Sequence, residues 1–216
     1  MERYRITPGT EGQLSIFIVM TGISANGNEA GGAVFVEDNA AFHMTGGTVS
    51  ANKASKGGGI CIVDSALQRG IAEYGTEFLM DGGVISGNRA GIGGGIYSFS
   101  NGSFLRSGKI INNTATYSGG GLYSEGRSID GYSTAHLYNA VVTENIAEQG
   151  GGLWFCATGM AELYIKDGIG IFDNKAVNTD GKAAGDDLVF RTISGNPRQF
   201  NYRDESSGVC ISAQSK

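Results

Sequence analysis

Proline and cysteine are scarce in this sequence, with 2 prolines and 3 cysteines among 216 residues. So few prolines exclude a collagen-like repeat and a proline-rich linker. The thiols of Cys61, Cys156 and Cys210 cannot make a closed disulfide framework, and their spacing fits no zinc motif. We therefore predict ordinary structural thiols, and no metal site or cofactor.

Long apolar runs and clusters of positive charge are also missing. The longest apolar run, Ile16 to Met20, is far too short to span a membrane. The 16 basic residues are scattered and are outnumbered by 21 acidic ones, so an electrostatic footprint for nucleic acid is missing. No signal peptide is visible. The chain is either cytosolic or, as we favour, a fragment of a larger surface protein.

Glycine, in contrast, is abundant, with 37 residues, and much of it belongs to one repeat. An aliphatic residue followed by two others and Asn recurs six times. In five copies a Gly-Gly-small-aliphatic motif follows, and its aliphatic residue lies 8 or 9 residues after the Asn. The asparagines are Asn26, Asn52, Asn88, Asn113, Asn145 and Asn174. A fixed motif with intervals of 25 to 36 residues indicates a constant coil that carries inserted loops.

Alternating apolar residues, as in Phe42-His43-Met44, predict strands between these motifs. Glycine triplets disfavour helices. We predict an all-β, right-handed parallel β-helix (a solenoid) of about six three-strand coils. It should span residues 1–190, with a cap or loose tail at 191–216. The repeated Asn should stack along one edge, at a bend for which its tolerance of left-handed backbone suits it.

Stacked coils place equivalent side chains in ladders along the axis. The aliphatic residue after each glycine motif should point inward, and the next residue outward. The inward ladder is Val34, Ile60, Ile96, Leu122, Leu153 and Leu188. The outward row holds Cys61 and four aromatic residues, namely Phe35, Tyr97, Tyr123 and Trp154. An exposed row would offer ligand-binding aromatics for sugar rings or a partner, whereas a row covered by loops would be structural.

Two long insertions follow this strand, at about 64–77 and 125–134, on the second and fourth coils. They are predicted to wall a groove over the third coil, whose connection is short. Their acidic residues are Asp64, Glu73, Glu77, Glu125 and Asp130. Paired carboxylates across such a groove can hydrolyse glycosides. Solvated loop charges are the alternative.

At these motifs the chain resembles the repeats of polymorphic outer membrane proteins, a family of autotransporter passengers marked by Gly-Gly-Ala-Ile and Phe-x-x-Asn. The resemblance covers roughly residues 16–190. The chain differs in using Ile or Val for the Phe, and usually a third Gly for the Ala. The resemblance implies a pectate-lyase-like β-helix and a secreted or cell-surface bacterial segment that adheres or binds.

Residues Asn178-Thr179-Asp180 and Asp186-Asp187 are similar to two motifs of polygalacturonase-type hydrolases. In that family the motifs lie on successive coils, and its Gly-His-Gly and Arg-Ile-Lys motifs are missing here. Asp186 and Asp187 more simply replace a sixth glycine motif. No catalytic residue is therefore favoured, and Asp180 and Asp187 are the candidates if the chain is an enzyme.

His43 and His136 fall in one outward row, three coils apart, which is too far to share a metal ion. Together these features predict a non-catalytic extracellular or cell-surface segment that binds carbohydrate or a protein partner. A polysaccharide-active glycoside hydrolase, or a subunit of one, is the first alternative. A structural spacer that separates other domains is the second.

Overall fold

Short strands joined by tight turns form a stack, and the described residues contain almost no helix. The computed structural model describes residues 4–6, 14–21, 31–37, 40–64, 75–100, 102–126, 133–156, 159–164, 167–177, 185–190 and 201–202. The strands are β1 (Tyr4–Ile6), β2 (Leu14–Thr21), β3 (Val34–Glu37), β4 (Ala41–Ser50), β5 (Ile60–Val63), β6 (Glu77–Ser86), β7 (Arg89–Ile92), β8 (Ile96–Phe99), β9 (Gly102–Ile111), β10 (Thr114–Ser118), β11 (Leu122–Ser124), β12 (Ser133–Thr143), β13 (Ile146–Ala147), β14 (Leu153–Phe155), β15 (Gly159–Leu163), β16 (Gly170–Phe172), β17 (Lys175–Ala176), β18 (Leu188–Phe190) and β19 (Asn201–Tyr202).

The strands form three parallel sheets. Sheet A has the order β1-β3-β5-β8-β11-β14-β18, sheet B the order β2-β4-β6-β9-β12-β15-β19, and sheet C the order β7-β10-β13-β17, while β16 pairs with β12. The predicted all-β solenoid is confirmed. Each coil from β6 to β18 has a strand in all three sheets, so there are about four complete turns rather than six. The coils of β2–β3 and β4–β5 contribute named strands to sheets A and B alone within the described residues.

The core is filled by side chains that repeat in register from coil to coil. Val34, Ile60, Ile96, Leu122 and Leu153 pair in succession on sheet A, and each is at most 1% exposed. Leu188 continues this ladder and is partly buried. Sheet B contributes the alternating pair Phe42/Met44, as predicted, and the equivalent pairs Phe78/Met80 and Ala135/Leu137, all buried. The predicted inward face is therefore confirmed.

A ladder of asparagines runs along one edge of the solenoid, as predicted. The side-chain oxygen of Asn113 accepts both the backbone N–H and a side-chain N–H of Asn88, each at 3.0 Å. The same two bonds link Asn52 to Asn88, Asn113 to Asn145 and Asn145 to Asn174. All five side chains are buried. Asn26 lies outside the described residues.

The left-handed bend beside this ladder lies one residue earlier than predicted. Ala51, Asn112, Glu144 and Asp173 each precede a ladder asparagine and have φ of 55° or 56°, and Gly87 takes the same position with φ of 64°. The side chain of each ladder asparagine instead forms hydrogen bonds with the next coil. The prediction that the ladder Asn supplies the left-handed turn is therefore wrong.

Close approach between coils explains the glycine motif. A Cβ on Gly94 would lie 2.4 Å from the carbonyl oxygen of Gly120 and 2.6 Å from that of Thr114. The first glycine of the motif also has a positive φ, for example 63° at Gly93. Any larger side chain at Gly94 would push the next coil away.

The C-terminal end of the solenoid confirms a sixth, altered copy of this motif. Gly185 has a φ of 56°, close to the 60° of Gly150, and Leu188 pairs with Leu153. Asp186 and Asp187 therefore stand where the other copies have glycines. Sheet B continues into β19, so strand pairing extends beyond residue 190. Most of residues 191–216 lie outside the described part of the chain, and the predicted cap stays a prediction.

Candidate functional site

The outward row of sheet A has the predicted register. Cys61 pairs with Phe35 and Tyr97, and Tyr123 pairs with Tyr97 and Trp154. These residues stand apart from the inward core, and most of them form a second, smaller apolar cluster on the outside of the sheet. The alternation of β-strand side chains thus placed every member of the row on the expected side.

Of the two alternatives left open for this row, Tyr97 and Trp154 agree with the covered one, because they are only 3% and 5% exposed. Phe35 and Tyr123 are partly buried. The rings of Tyr97 and Tyr123 stack at 5.7 Å between centroids, and those of Tyr123 and Trp154 at 6.4 Å. Burial leaves little of the Tyr97 and Trp154 rings exposed to solvent. The alternation of side chains along a strand determines on which side of the sheet a residue lies, but not which residues pack over it. A ligand-binding role for the row stays a prediction.

An ion pair between Lys56 and Glu125 packs against the Tyr97 side chain. The phenol of Tyr97 donates a hydrogen bond to Glu125, and Lys56 Nζ lies 3.2 Å from the phenol oxygen and 3.6 Å from the carboxylate. The same amine lies 4.7 Å from the centre of the Tyr97 ring. Burial, together with the negative charge of Glu125, raises the pKa of Tyr97 far above its usual range. The phenol is thus held as a hydrogen-bond donor.

Two of the five predicted groove acids line one pocket. This pocket has a volume of about 70 Å³ and is formed by Asp64, Gly75, Thr76, Glu77, Ser100, Gly102 and Phe104. It lies at the short connection between β8 and β9, on the third coil, where the groove was predicted. Asp64 is 2% exposed, whereas Glu77 is exposed at the start of β6.

The remaining predicted acids do not join this pocket within the described residues. Glu125 lies on the sheet A side, against Tyr97 and Lys56. Glu73 and Asp130 lie outside the described residues, as do most of the two insertions. Of the predicted groove, the described residues therefore include only the side that carries Asp64 and Glu77.

A second feature, which sequence analysis largely missed, is the outer face of sheet B. Next to the inward-pointing Leu105, Leu137 and Leu163 lie half-buried or exposed side chains that point outward, and they form two adjacent rows. One row is His43, Leu79, Phe104, His136 and Glu162, in register. The other includes Asp81, Arg106, Tyr138 and Tyr164. We call these nine residues the sheet B face. The predicted shared row of His43 and His136, three coils apart, is confirmed.

Hydrogen bonds and ring stacking order the sheet B face. The Glu162 carboxylate accepts from His136 Nδ1 at 3.0 Å and from the Tyr164 hydroxyl at 2.6 Å. The His136 ring stacks on Phe104 at 4.6 Å, and Tyr138 stacks on Tyr164 at 4.1 Å. The bond to Glu162, with some burial, raises the pKa of Tyr164 above its usual range. Rings and polar groups are therefore fixed side by side.

A smaller cluster of polar side chains lies at the other end of the sheet B face. His43 Nε2 lies 2.5 Å from one oxygen of Asp81, and Arg106 lies 3.9 Å from the other. The pocket opens beside the middle of the first row, because Phe104, the third of its five residues, also lines the pocket. The signal for this face was present in the sequence as the polar and aromatic neighbours of the inward leucines.

The chain matches no protein-family model, and no curated protein or solved structure is significantly similar to it.

The alternative catalytic pair is not assembled in the described residues. The Asp187 side chain accepts the backbone and side-chain N–H groups of Asn174 at 3.0 and 2.9 Å, and so ends the asparagine ladder. Its neighbour Asp186 accepts the backbone N–H of Ala176 at 2.7 Å. Asp180 lies outside the described residues. The contacts of Asp187 are those of a structural residue.

Neither a metal cluster nor a membrane helix is found in the described part of the chain. No group of three or more His, Cys, Asp or Glu side chains there could hold a metal ion. None of its helical segments is long and apolar enough to cross a bilayer.

Proposed function

We propose that this chain is a non-catalytic, glycan-binding segment of an extracellular or cell-surface protein, and that it binds through the sheet B face. The observation that carries the proposal is the pairing of ordered aromatic rings with hydrogen-bonding groups along this face. Phe104 and Tyr138 supply apolar surface, while Glu162 and the Tyr164 hydroxyl supply polar contacts within three successive coils.

Sugars require this combination. Each pyranose presents apolar C–H groups beside hydroxyls, so a site needs apolar surface with a few fixed polar groups. Tyrosine offers both in one side chain. Tyr138 and Tyr164 stack on each other from two successive coils, which are about 4.8 Å apart along the axis. A linear polymer lying along the axis would meet these two tyrosines in succession.

The sequence repeat supports the proposed location of the chain at the cell surface. Its resemblance to the polymorphic outer membrane proteins motivates a right-handed, pectate-lyase-like solenoid and an adhesive role at a bacterial surface. A parallel solenoid of about four complete turns agrees with that proposal, although many functions share such a fold.

A glycan array, followed by titration of each hit, tests the proposal. We expect Tyr138→Ala to weaken binding roughly tenfold or more, as for a central aromatic contact. Tyr117→Ala is the matched control, because Tyr117 is 59% exposed and belongs to sheet C. Binding to a protein partner with no glycan bound would refute the proposal, as would equal losses in the two variants.

A glycoside hydrolase is the second candidate, because Asp64 and Glu77 line the same pocket. One carboxylate could act as acid and the other as base or nucleophile. A hydrolysis screen on the array hits tests this directly. Turnover that disappears in Glu77→Gln, with binding retained, would make the chain an enzyme, since an amide cannot exchange the proton.

A further inference from the structure

The outer face of sheet C carries a row of side chains that the proposed glycan binding does not use. In each coil, the residue between the ladder asparagine and the next alanine belongs to this row, because side chains alternate along a strand. The members pair in register from coil to coil. They are Lys53, Arg89, Thr114, Ile146 and Lys175. We call this row, together with the exposed side chains of Tyr117 and Val177, the sheet C face.

We infer that the sheet C face is a docking surface for an extended segment of another protein, in which acidic residues stand beside apolar ones. Unpaired positive charge and exposed apolar surface on the same face are the two observations that carry this inference. It goes beyond the proposed glycan binding and does not depend on it.

Unpaired positive charge is the first observation. Lys56 and Arg106 each form an ion pair with a carboxylate. The side chains of Lys53, Arg89 and Lys175 are exposed and form neither an ion pair nor a hydrogen bond in the described part of the chain. Lys53 and Arg89 pair on adjacent coils, about 4.8 Å apart along the axis. Two neighbouring cations without partners favour a ligand that brings carboxylates.

Exposed apolar surface is the second observation. Tyr117, Ile146 and Val177 are three of the four large hydrophobic residues that are exposed in the described part of the chain. The Tyr117 ring lies beside Gly91, because a Cβ on Gly91 would be 3.8 Å from two ring atoms. Gly91 follows Arg89 by two residues on β7, so the ring and the guanidinium border one patch. Tyrosine and arginine are among the residue types most enriched at the centres of protein interfaces.

The combination favours a peptide over a sugar polymer. Ile146 and Val177 offer aliphatic surface without hydrogen-bonding groups, which suits apolar amino-acid side chains better than a hydroxyl-covered sugar, since a buried hydroxyl needs a partner. The Arg89 guanidinium binds a carboxylate through two parallel hydrogen bonds when the geometry allows. An acidic peptide with apolar residues satisfies both requirements, whereas an acidic polysaccharide satisfies only the charge requirement.

The acidic residues near this face lie at its C-terminal end. They are Glu144, Glu148 and Asp173. No acidic residue occurs in the segments 49–57 and 84–95, which carry Lys53 and Arg89. We therefore expect the carboxylates of the partner to lie over Lys53 and Arg89, and its apolar side chains to lie over Tyr117 and beyond, since like charges at the acidic end would repel.

The C-terminal edge of sheet C is blocked for strand addition. Within the described residues β17 is the last strand of this sheet, and the backbone N–H of Ala176 donates to Asp186 at 2.7 Å. A peptide that added a strand at this edge would need that N–H for its own backbone. The partner segment therefore lies across the face and is held by side-chain contacts.

A fluorescent peptide of three Glu-Glu-Leu-Leu repeats, titrated with the full chain, tests the inference. In an extended conformation each side of this peptide presents both Glu and Leu, because side chains alternate. The two comparison peptides have Lys in place of Glu, or Ser in place of Leu. We expect the Glu-Leu peptide to bind about tenfold or more tightly than either, because the first comparison peptide loses the charge attraction and the second loses the apolar contacts.

Three variants assign the binding to this face. Arg89→Glu should weaken binding of the Glu-Leu peptide about tenfold or more and strengthen binding of the Lys-Leu peptide. Lys109→Glu is the matched control, because it makes the same change in charge at an exposed position on β9 of sheet B. Tyr117→Ala should weaken peptide binding several-fold and leave glycan binding by the sheet B face unchanged. Thermal melts should show all three variants folded.

Each other outcome overturns the inference. Equal binding of the three peptides, or equal effects of Arg89→Glu and Lys109→Glu, would show that the sheet C face does not select the peptide. Tighter binding of a galacturonate oligomer that is lost in Arg89→Glu would make the face a site for acidic polysaccharides. A dimer in sedimentation that dissociates in Arg89→Glu would make the occupant a second copy of this chain. Glycan binding by the sheet B face is tested separately by Tyr138→Ala, so each of the two proposals can fail without the other.

Discussion

Asn113 donates a side-chain N–H to the side-chain oxygen of Asn145 at 3.0 Å, although 32 residues separate them in the sequence. The second N–H on the Asn113 side chain reaches the carbonyl of Ile85, on the preceding coil, at 2.9 Å. One buried amide thus ties three successive coils together. Because buried polar groups need partners, each link in this ladder depends on the next.

We expect Asn113→Ala to lower the free energy of unfolding by about 3 kcal/mol or more. The substitution leaves two buried N–H groups of Asn88 without their acceptor, and also removes the donors to Asn145 and Ile85. Asn139→Ala is the control, because Asn139 is exposed in β12. Urea unfolding of both variants measures the difference. A loss below 1 kcal/mol for Asn113→Ala would show that the ladder contributes little.

The residue before each ladder asparagine gives a second prediction. Glu144 has a φ of 56°, a left-handed conformation that is strained for residues other than glycine. We expect Glu144→Gly to stabilise the chain by about 0.5–1 kcal/mol, and Glu144→Ala to give no such gain. Gly87→Ala should cost about 1 kcal/mol because of the φ of 64° alone, since an added Cβ has room: its nearest atom is the Ala51 nitrogen, 3.9 Å away. Equal melting temperatures for the glycine and alanine variants at 144 would contradict this.

The repeat made much of the fold predictable, because it specifies backbone geometry coil by coil. The inward position of Ile96 and the alignment of Asn88 with Asn113 follow from motif phase alone. The residue with the positive φ lies one position before the asparagine for which it was predicted. The sequence did not reveal this, because Asn, Glu, Asp, Ala and Gly all occur at that preceding position and no single residue type marks it. Side-chain contacts between coils determine which residue takes the left-handed conformation.

The candidate site was less predictable, because it depends on packing across coils and over strands. Tyr97 pointed outward as expected, but Lys56, 41 residues earlier, packs over its ring. The bond between His136 and Glu162 joins residues 26 apart, on two successive coils. Strand alternation gives a direction to each side chain but does not identify its neighbours.

Burial of Tyr97 predicts a large effect on stability. We expect Tyr97→Ala to lower the free energy of unfolding by about 3 kcal/mol, as for other large aromatic side chains truncated in packed sites. Tyr117→Ala, at a side chain that is 59% exposed, should change it by less than about 0.5 kcal/mol. Chemical denaturation of the two variants provides the comparison. A silent Tyr97→Ala would contradict the packing of this side chain and favour the exposed alternative for the row.

The raised pKa of Tyr97 gives a prediction on alkaline stability. The unfolded phenol loses its proton near pH 10, whereas burial and Glu125 keep the folded phenol protonated at higher pH. The folded state therefore binds more protons above about pH 10, so its stability should fall as the pH rises through that value. Tyr97→Phe isolates the contribution of this phenol, because it removes only the phenol proton. We expect urea midpoints measured between about pH 9 and 11 to fall less steeply for Tyr97→Phe than for the unmodified chain. Parallel curves for the two proteins would show that another group causes the alkaline loss.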